Sequence, residues 1–423
     1  MLLGVDLGTS QVKVLHTTAE GKILGQATAG YPVSAPRQGW AETDPRLWWR
    51  AVAEAIRSLR HRDEIRALGI AGQMHGLVLA SERGAPLRPA LLWLDCRATA
   101  EAMEYRQLPA EILHALGNDP SPGMAGPMAL WLSRHEPDTY RAARWLLQPK
   151  DWLRLLLTGE PATDPSDASG TLLYDLATDS WSRATLAALD LDPANLPSLR
   201  PSTGLAGHLL PGPAAELGLS PGIPVAIGAA DTAASLLAAD LPGNDWALLI
   251  IGSGAQWIAP GGAPAPRLNV FRDADSGLYR LAPVQNAGVT LDWVRRTLGM
   301  SWDELYAQAA SQPDARPPVF MPYLSPERWD GEAGGGWTGM RLAHTRGDLA
   351  RAALDGVAAL LRDRLDDLRA ADADPRNVLL AGGGSRHPAW RALLASALAL
   401  PLHEAAAADL TVHGAALLAA APL

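Results

Sequence analysis

"LLGVDLGTSQVKVLHTT" (residues 2–18) sets two apolar runs on either side of Gly-Thr-Ser, with Asp6 near the end of the first run. Apolar alternation around a glycine-containing turn predicts an antiparallel hairpin at the start of the chain. "KILGQATAG" (22–30) supplies a third strand-like run, so the first thirty residues read as a three-stranded meander. Taken alone, Gly-Thr-Ser is ordinary turn chemistry. The remainder of the chain decides whether it is more.

Outward from the meander, "DPRLWWRAVAEAIRSLR" (44–60) predicts a helix. Asp44 stands at the N-cap and Pro45 at the first helical position, and Leu47, Trp48, Val52 and Ile56 recur at helical spacing. "IRALGIAGQ" (65–73) reads as a buried parallel strand, which makes the pattern α/β. Proline and glycine thicken over 196–224 and place a domain boundary near the end of that stretch, giving domains 1–222 and 223–423. After it the opening theme returns. "PVAIGAADTAAS" (224–235) runs from strand to turn, and "DWALLIIGSGAQWIAP" (245–260) is strand, Gly-Ser-Gly turn and strand. "NVLLAGGGSRHPAWRALLASAL" (377–398) is strand, triple-glycine turn and helix. Glycine turns at strand ends in two similar halves point to a bilobal protein that handles phosphate.

The totals exclude some classes. The 423 residues exceed one compact core, and their net charge of −9 includes no cluster of lysines or arginines, which argues against nucleic acid as a partner. Cys96 is the only cysteine, so no intrachain disulfide forms, as suits a reducing compartment. The alanine-rich segment 404–422 is broken by Asp409 and His413 and reads as a packed helix rather than a membrane span. With no basic region leading into an apolar stretch at the start, the expected location is the cytoplasm.

"GVDLGTSQVKV", "GIAGQMHG" (69–76), "GAADTAAS" (228–235) and "LLAGGGSRHPAWRALLA" (379–395) together resemble the FGGY carbohydrate kinases, in the actin-like ATPase superfamily. The xylulokinase branch is the most similar. The resemblance continues through "PSPGMAGPMALWLSRHEP" (120–137), "LLQPKDWLRLLLTGE" (146–160) and "TDPSDASGTLLYD" (163–175), and so covers almost the whole chain in order. It implies two actin-like (ribonuclease H-like) α/β domains with an active-site cleft between them. It also implies ATP and Mg²⁺, a sugar acceptor phosphorylated at its terminal hydroxyl (D-xylulose in that branch), no membrane partner, and an assembly open to a homodimer.

The resemblance assigns residues. Asp6 is expected to hold Mg²⁺ through its water shell, since magnesium keeps several waters and takes few protein ligands. Backbone N–H groups of the first turn, with the Thr9 and Ser10 hydroxyls, meet phosphate oxygens, and Lys13 has phosphate or solvent as its alternatives. Asp231 is the expected proton acceptor from the sugar hydroxyl, and also a suitable helix N-cap; one oxygen can cap while the other reacts. Met74 and His75 in "QMHG" are the expected sugar contacts, His75 as a donor to a hydroxyl and Met74 as an adaptable apolar wall. Trp93 and Asp95 are further candidates for the sugar's border. Gly252 and Ser253 match the second phosphate loop, and Gly383 and Gly384 the turn that lets adenosine approach the backbone.

Four departures from the family pattern stand out. The second phosphate loop reads Gly-Ser-Gly rather than Gly-Thr-Ser, and Thr232 replaces a longer Asn or Gln after Asp231. "WDGEAGGGWTG" follows "YLSPER" (323–328) where a proline-rich loop is usual, and the chain stops soon after "HGAALLAA". They leave open a kinase for another pentulose or polyol such as ribulose or glycerol, and a weakly active sugar-sensing relative. An actin-like assembly protein is disfavoured by "GQMHG" and the aspartate of "GAADTAAS".

Overall fold

Leu2–Leu7 (β1) and Gln11–Thr17 (β2) form the expected antiparallel hairpin, closed where Gly8 N–H donates to the Gln11 carbonyl at 3.1 Å. Ile23–Gly30 (β3) pairs with β2 and completes the meander. The computed structural model describes residues 1–310, 318–327, 334–407 and 409–422, so much of the departing loop after "YLSPER" lies outside the described residues. Every residue of β1 is buried, as its nearly continuous apolar sequence requires of a strand covered on both faces. Helix α1 (Pro45–Ser58) starts where expected: the Asp44 carboxylate accepts the Arg46 N–H at 3.0 Å, and the buried face carries Trp48, Val52 and Ile56.

Ala67–Gly72 (β4) runs parallel to β1, with Asp6 opposite Ala71 and Leu7 opposite Gly72. Helix α2 (Pro149–Thr158) and the short helix α3 (Pro165–Ala168) follow, then β5 (Leu205–His208), β6 (Pro224–Ala226), β7 (Ala229–Ala230) and helix α4 (Asp231–Ala239). The sheet order is β5-β6-β4-β1-β2-β3, and β7 pairs with β4, Ala229 opposite Ala71 and Ala230 opposite Gly72.

The same arrangement recurs later in the chain. Trp246–Ile251 (β8) and Ala255–Pro260 (β9) form an antiparallel hairpin, followed by β10 (Asn269–Arg272) and β11 (Leu278–Val284). The long helix α5 (Arg346–Ala370) precedes β12 (Asn377–Ala381), helix α6 (Pro388–Leu398) and β13 (Leu402–Glu404). The order is β10-β11-β9-β8-β12-β13, with β12 parallel to β8. In both sheets the first hairpin strand lies centrally, its partner on one side and a parallel strand on the other. Each has its own core, one around Trp48, Trp152 and Ile70, the other around Trp257, Trp390 and Leu361.

Two compact units result: Met1–Ala238 with Phe271–Leu278 and Leu410–Leu423, and Ala239–Val270 with Tyr279–Asp409. The division falls at Ala238 rather than at residue 222, and Asp231 belongs to the first unit instead of to a domain 223–423. The reason is strand pairing: β6 and β7 both join β4, and they carry α4 with them. The alanine-rich C-terminal segment forms helix α7 (Leu410–Ala420), packed on the first sheet. It lies so close that a Cβ on Gly4 would stand 2.5 Å from the Ala416 nitrogen, and one on Gly69 2.0 Å from the Ala415 carbonyl oxygen. Among the described residues no helix is long and apolar enough to cross a membrane.

Candidate active site

The parallel strands β1, β4 and β7 all end at one edge of the first sheet, the edge at which α/β sheets hold ligands. Asp6 lies there with only 6% of its surface exposed, directly across from Lys13 on β2, so the two side chains share a face. Asp231 follows β7 immediately. With β4 between them, the backbones of β1 and β7 are two strand spacings, about 10 Å, apart. Into that interval β4 releases Gln73, Met74 and His75.

The turn after Asp6 is pinned by its neighbours. The Gly8 carbonyl accepts hydrogen bonds from the Tyr31 hydroxyl and from Gln73 Nε2, the latter at 3.1 Å. Burial, with the Asp6 charge behind it, raises the Tyr31 pKa, so its phenol stays a donor. Thr9 Oγ1 accepts from the Trp93 indole at 2.9 Å and keeps its own proton to give, while Ser10 is exposed. Sequence reading missed Gln73 and Tyr31, which lie far from the turn in the chain.

His75 sits at φ 70°, and Gly76 N–H donates to the Met74 carbonyl at 2.9 Å across it, a tight three-residue turn uncommon for a side-chain-bearing residue. Its Nδ1 lies 2.6 Å from the Gly170 carbonyl oxygen, which only accepts, so Nδ1 carries the hydrogen. In the neutral ring Nε2 is then an acceptor. In that form the ring would accept from a hydroxyl at Nε2, whereas the sequence reading has His75 donate. A Cβ at Gly170 would come within 3.0 Å of both His75 Nδ1 and Met74 Cε, so the bare backbone lets both side chains pack on it. The Phe271 ring lies 5.7 Å from the imidazole.

Asp231 Oδ1 accepts the Thr232 N–H at 2.6 Å and the Thr232 hydroxyl at 3.2 Å, whereas Oδ2 accepts no hydrogen bond from the described residues. Desolvation lifts its carboxyl from an ordinary 3.8 to about 6, against the opposing pull of the Thr232 bonds. A carboxylate poised near neutrality with one oxygen unengaged is suited to accept a proton. Asp95, by contrast, is occupied. Its oxygens take the Ala41 N–H at 2.6 Å and the Arg97 guanidinium at 2.8–2.9 Å, which holds two loops together.

The second unit presents backbone instead. Gly252 and Ser253 are exposed in the turn between β8 and β9, where Gly252 N–H donates to the Gly254 carbonyl at 2.8 Å. On the neighbouring parallel strand Ile250 faces Ala381, and the chain turns through Gly382 at φ 91°. A Cβ on Gly384 would press to 2.7 Å of Ile251 Cγ2, while one on Gly383 would meet open space.

Asp151, Asp164 and Asp167 place carboxylate oxygens within 4.8 Å of one another, as metal sites do. However, Lys150 Nζ stands among them at 2.6, 2.7 and 3.0 Å, so an ammonium fills that position. Asp6, an oxygen donor at the sheet edge beside a glycine turn, fits a magnesium better.

Residues 1–238 match the N-terminal domain of the FGGY family of carbohydrate kinases, and residues 268–423 match its C-terminal domain. The chain is 37% identical over 410 residues to a xylulose kinase of Escherichia coli strain K12, covering 93% of this chain and 84% of that relative. It is 35% identical over 415 residues to a xylulose kinase of Klebsiella pneumoniae, with 95% and 86% covered. A crystal structure described as a xyloylose kinase from Brucella ovis superimposes with a TM-score of 0.91 at 33% identity, over 99% of this chain and 90% of that one.

Proposed function

The chain belongs to the FGGY family of carbohydrate kinases, and on that premise we propose that it transfers the terminal phosphoryl group of ATP to D-xylulose, giving D-xylulose 5-phosphate. The observation that carries the reading is the sheet edge where Asp6 and Asp231 end strands on either side of β4, with His75 issuing from between them. The sugar is supported by the xylulose kinase relatives, which match this chain over nine-tenths of its length.

Phosphoryl transfer needs alignment and charge neutralisation more than covalent help. Asp231 takes the proton of the attacking hydroxyl through Oδ2, the oxygen that Thr232 leaves unengaged. His75 Nε2 accepts from a second hydroxyl and turns the sugar, with Met74 against its carbon face. The Gly8–Ser10 turn offers N–H and O–H donors to phosphate oxygens, and the carboxylate of Asp6 would hold Mg²⁺ through water. When bound, that ion neutralises charge on the phosphates. In the second unit the exposed Gly252–Ser253 turn and the Gly383–Gly384 backbone hold the nucleotide.

An ADP-release assay with D-xylulose, D-ribulose, L-ribulose, glycerol and gluconate tests the reading. D-Xylulose should give the highest kcat/KM, because a site built around a hydroxyl rejects analogues that leave its buried partner unpaired. A tenfold advantage for another acceptor would replace the sugar and keep the kinase. No release with any of them would overturn both.

A further inference from the structure

We propose that Ser166, anchored on the buried Lys150 cluster, is a positioning residue for Asp231. Its catalytic consequence rests on the function proposed above; its geometry does not. Lys150 on α2 is fully buried, and its ammonium meets carboxylates from α2 (Asp151), from the N-cap of α3 (Asp164) and from α3 itself (Asp167). Arg154, one turn along α2 and also fully buried, donates through Nη1 to Asp151 Oδ1 at 2.8 Å. Burial, reinforced by the charges of Asp151 and Asp164 and opposed by that of Lys150, pushes the Asp167 carboxyl well above the usual range.

Of the hydrogen bonds that leave this cluster, two end on the segment that presents Asp231. Arg154 Nη1 donates to the Ile227 carbonyl at 2.9 Å. At the other end, the Ala230 N–H donates to Ser166 Oγ at 2.9 Å, and the Ser166 hydroxyl in turn donates to Asp164 Oδ2. Residues 227–230 are therefore held at both ends, around the turn that Gly228 makes at φ 89°. Asp231 is the next residue. Ser202 also donates to Asp164 Oδ2, at 2.7 Å, without its hydroxyl touching the 227–230 segment. "KDWLR" and "DPSDASG", which carried family resemblance and no role, thus converge beneath the aspartate. A further bond, from Arg154 Nη2 to the Ala162 carbonyl, ties α2 to the chain leading into α3.

Loss of the Ser166 hydroxyl leaves the Ala230 N–H unpaired, loosens the start of α4 and admits water to the Asp231 carboxyl. The titratable groups on the elements packed around it are Asp6 on β1, His75 beyond β4, the Lys150 cluster on α2 and α3, and His413 on α7. Ser166→Ala removes none of these groups; Asp164 loses the Ser166 hydroxyl and keeps the Ser166 N–H, Ser202 and Lys150. The test uses the full chain with carboxyl-labelled aspartate, the Asp231 resonance being assigned by its absence in Asp231→Asn. Its titration midpoint is followed in wild type, Ser166→Ala and Ser202→Ala, together with kcat and KM for D-xylulose.

Ser166→Ala should lower the midpoint by about one pH unit as desolvation is relieved. It should also lower kcat about tenfold with KM within about twofold, as displacement of a reacting group does. Ser202→Ala should lower Tm and leave the midpoint in place. Should Ser166→Ala fail to fold, Ser166→Cys, which keeps a weak donor and acceptor, should shift the midpoint and kcat in the same direction by less. An unmoved midpoint in the Ser166 variants, or an equal shift in Ser202→Ala, overturns the proposal. A wild type that phosphorylates no sugar, but whose midpoint moves on Ser166→Ala, would defeat the proposed function and leave the positioning role standing.

Discussion

The hairpins β1–β2 and β8–β9 each set their first strand between its antiparallel partner and a parallel strand, yet their edges carry different chemistry. Two residues before its turn glycine the first has Asp6; the second has Ile250 at that distance from Gly252. Beyond the parallel neighbour strand the first edge continues into Gln73, Met74 and His75, and the second into Gly382, Gly383 and Gly384. One edge offers carboxylates and an imidazole held in a fixed tautomer. The other offers glycine backbone and the Ser253 hydroxyl. A repeated scaffold has thus been divided. Proton transfer and metal binding need titratable groups, whereas a nucleotide can be gripped by N–H groups wherever glycine lets it approach.

Substitutions can break that division one edge at a time. The largest effect should come from Asp231→Asn, with kcat falling about 10²- to 10⁴-fold in a folded protein that still binds nucleotide, as loss of a general base does. The same variant carries a stability signature. Because the folded carboxyl titrates near 6 and the ordinary one near 3.8, Asp231 favours the fold only while protonated, and this contribution is lost as pH rises through about 6. Asp231→Asn should therefore melt higher than wild type at pH 7.5, by up to about 3 kcal/mol of stability, and no higher at pH 4. Equal Tm differences at both values would remove the desolvation argument.

Asp6→Ala comes next. It should lower Mg²⁺-dependent turnover on the order of 10²-fold while D-xylulose binding, followed by calorimetry, stays intact. Equal loss of sugar affinity would place Asp6 against the sugar instead. On the second edge Gly383→Ala should be silent in Tm, since its Cβ enters open space, and should raise the KM for ATP about tenfold if adenosine lies against that backbone. Smallest is Ser253→Ala, about threefold on the same constant for one exposed hydroxyl donor.

Much of this frame was legible in the chain. The hairpins, the Asp44–Pro45 helix start and the strand–turn–helix units follow from local alternation and capping, and they formed as read. Asp231 at a strand end, with one oxygen engaged and one not, also followed from its neighbours. What stayed hidden depends on long-range contact. The Gly170 carbonyl fixes the His75 tautomer from far along the chain, and Asp95 looked like a sugar ligand until Arg97 and the Ala41 N–H were seen to occupy it. The boundary at 222 followed proline and glycine content, which marks loops; the true division follows the pairing of β6 and β7 with β4.

The division between the two edges is tested most directly by cross-titration calorimetry, with D-xylulose and ADP each titrated into His75→Ala and Gly383→Ala. His75→Ala should lose affinity for D-xylulose and keep that for ADP, and Gly383→Ala should do the reverse. If either well-folded variant loses both ligands alike, or the two losses are exchanged, the chemistry is not partitioned between the edges as described.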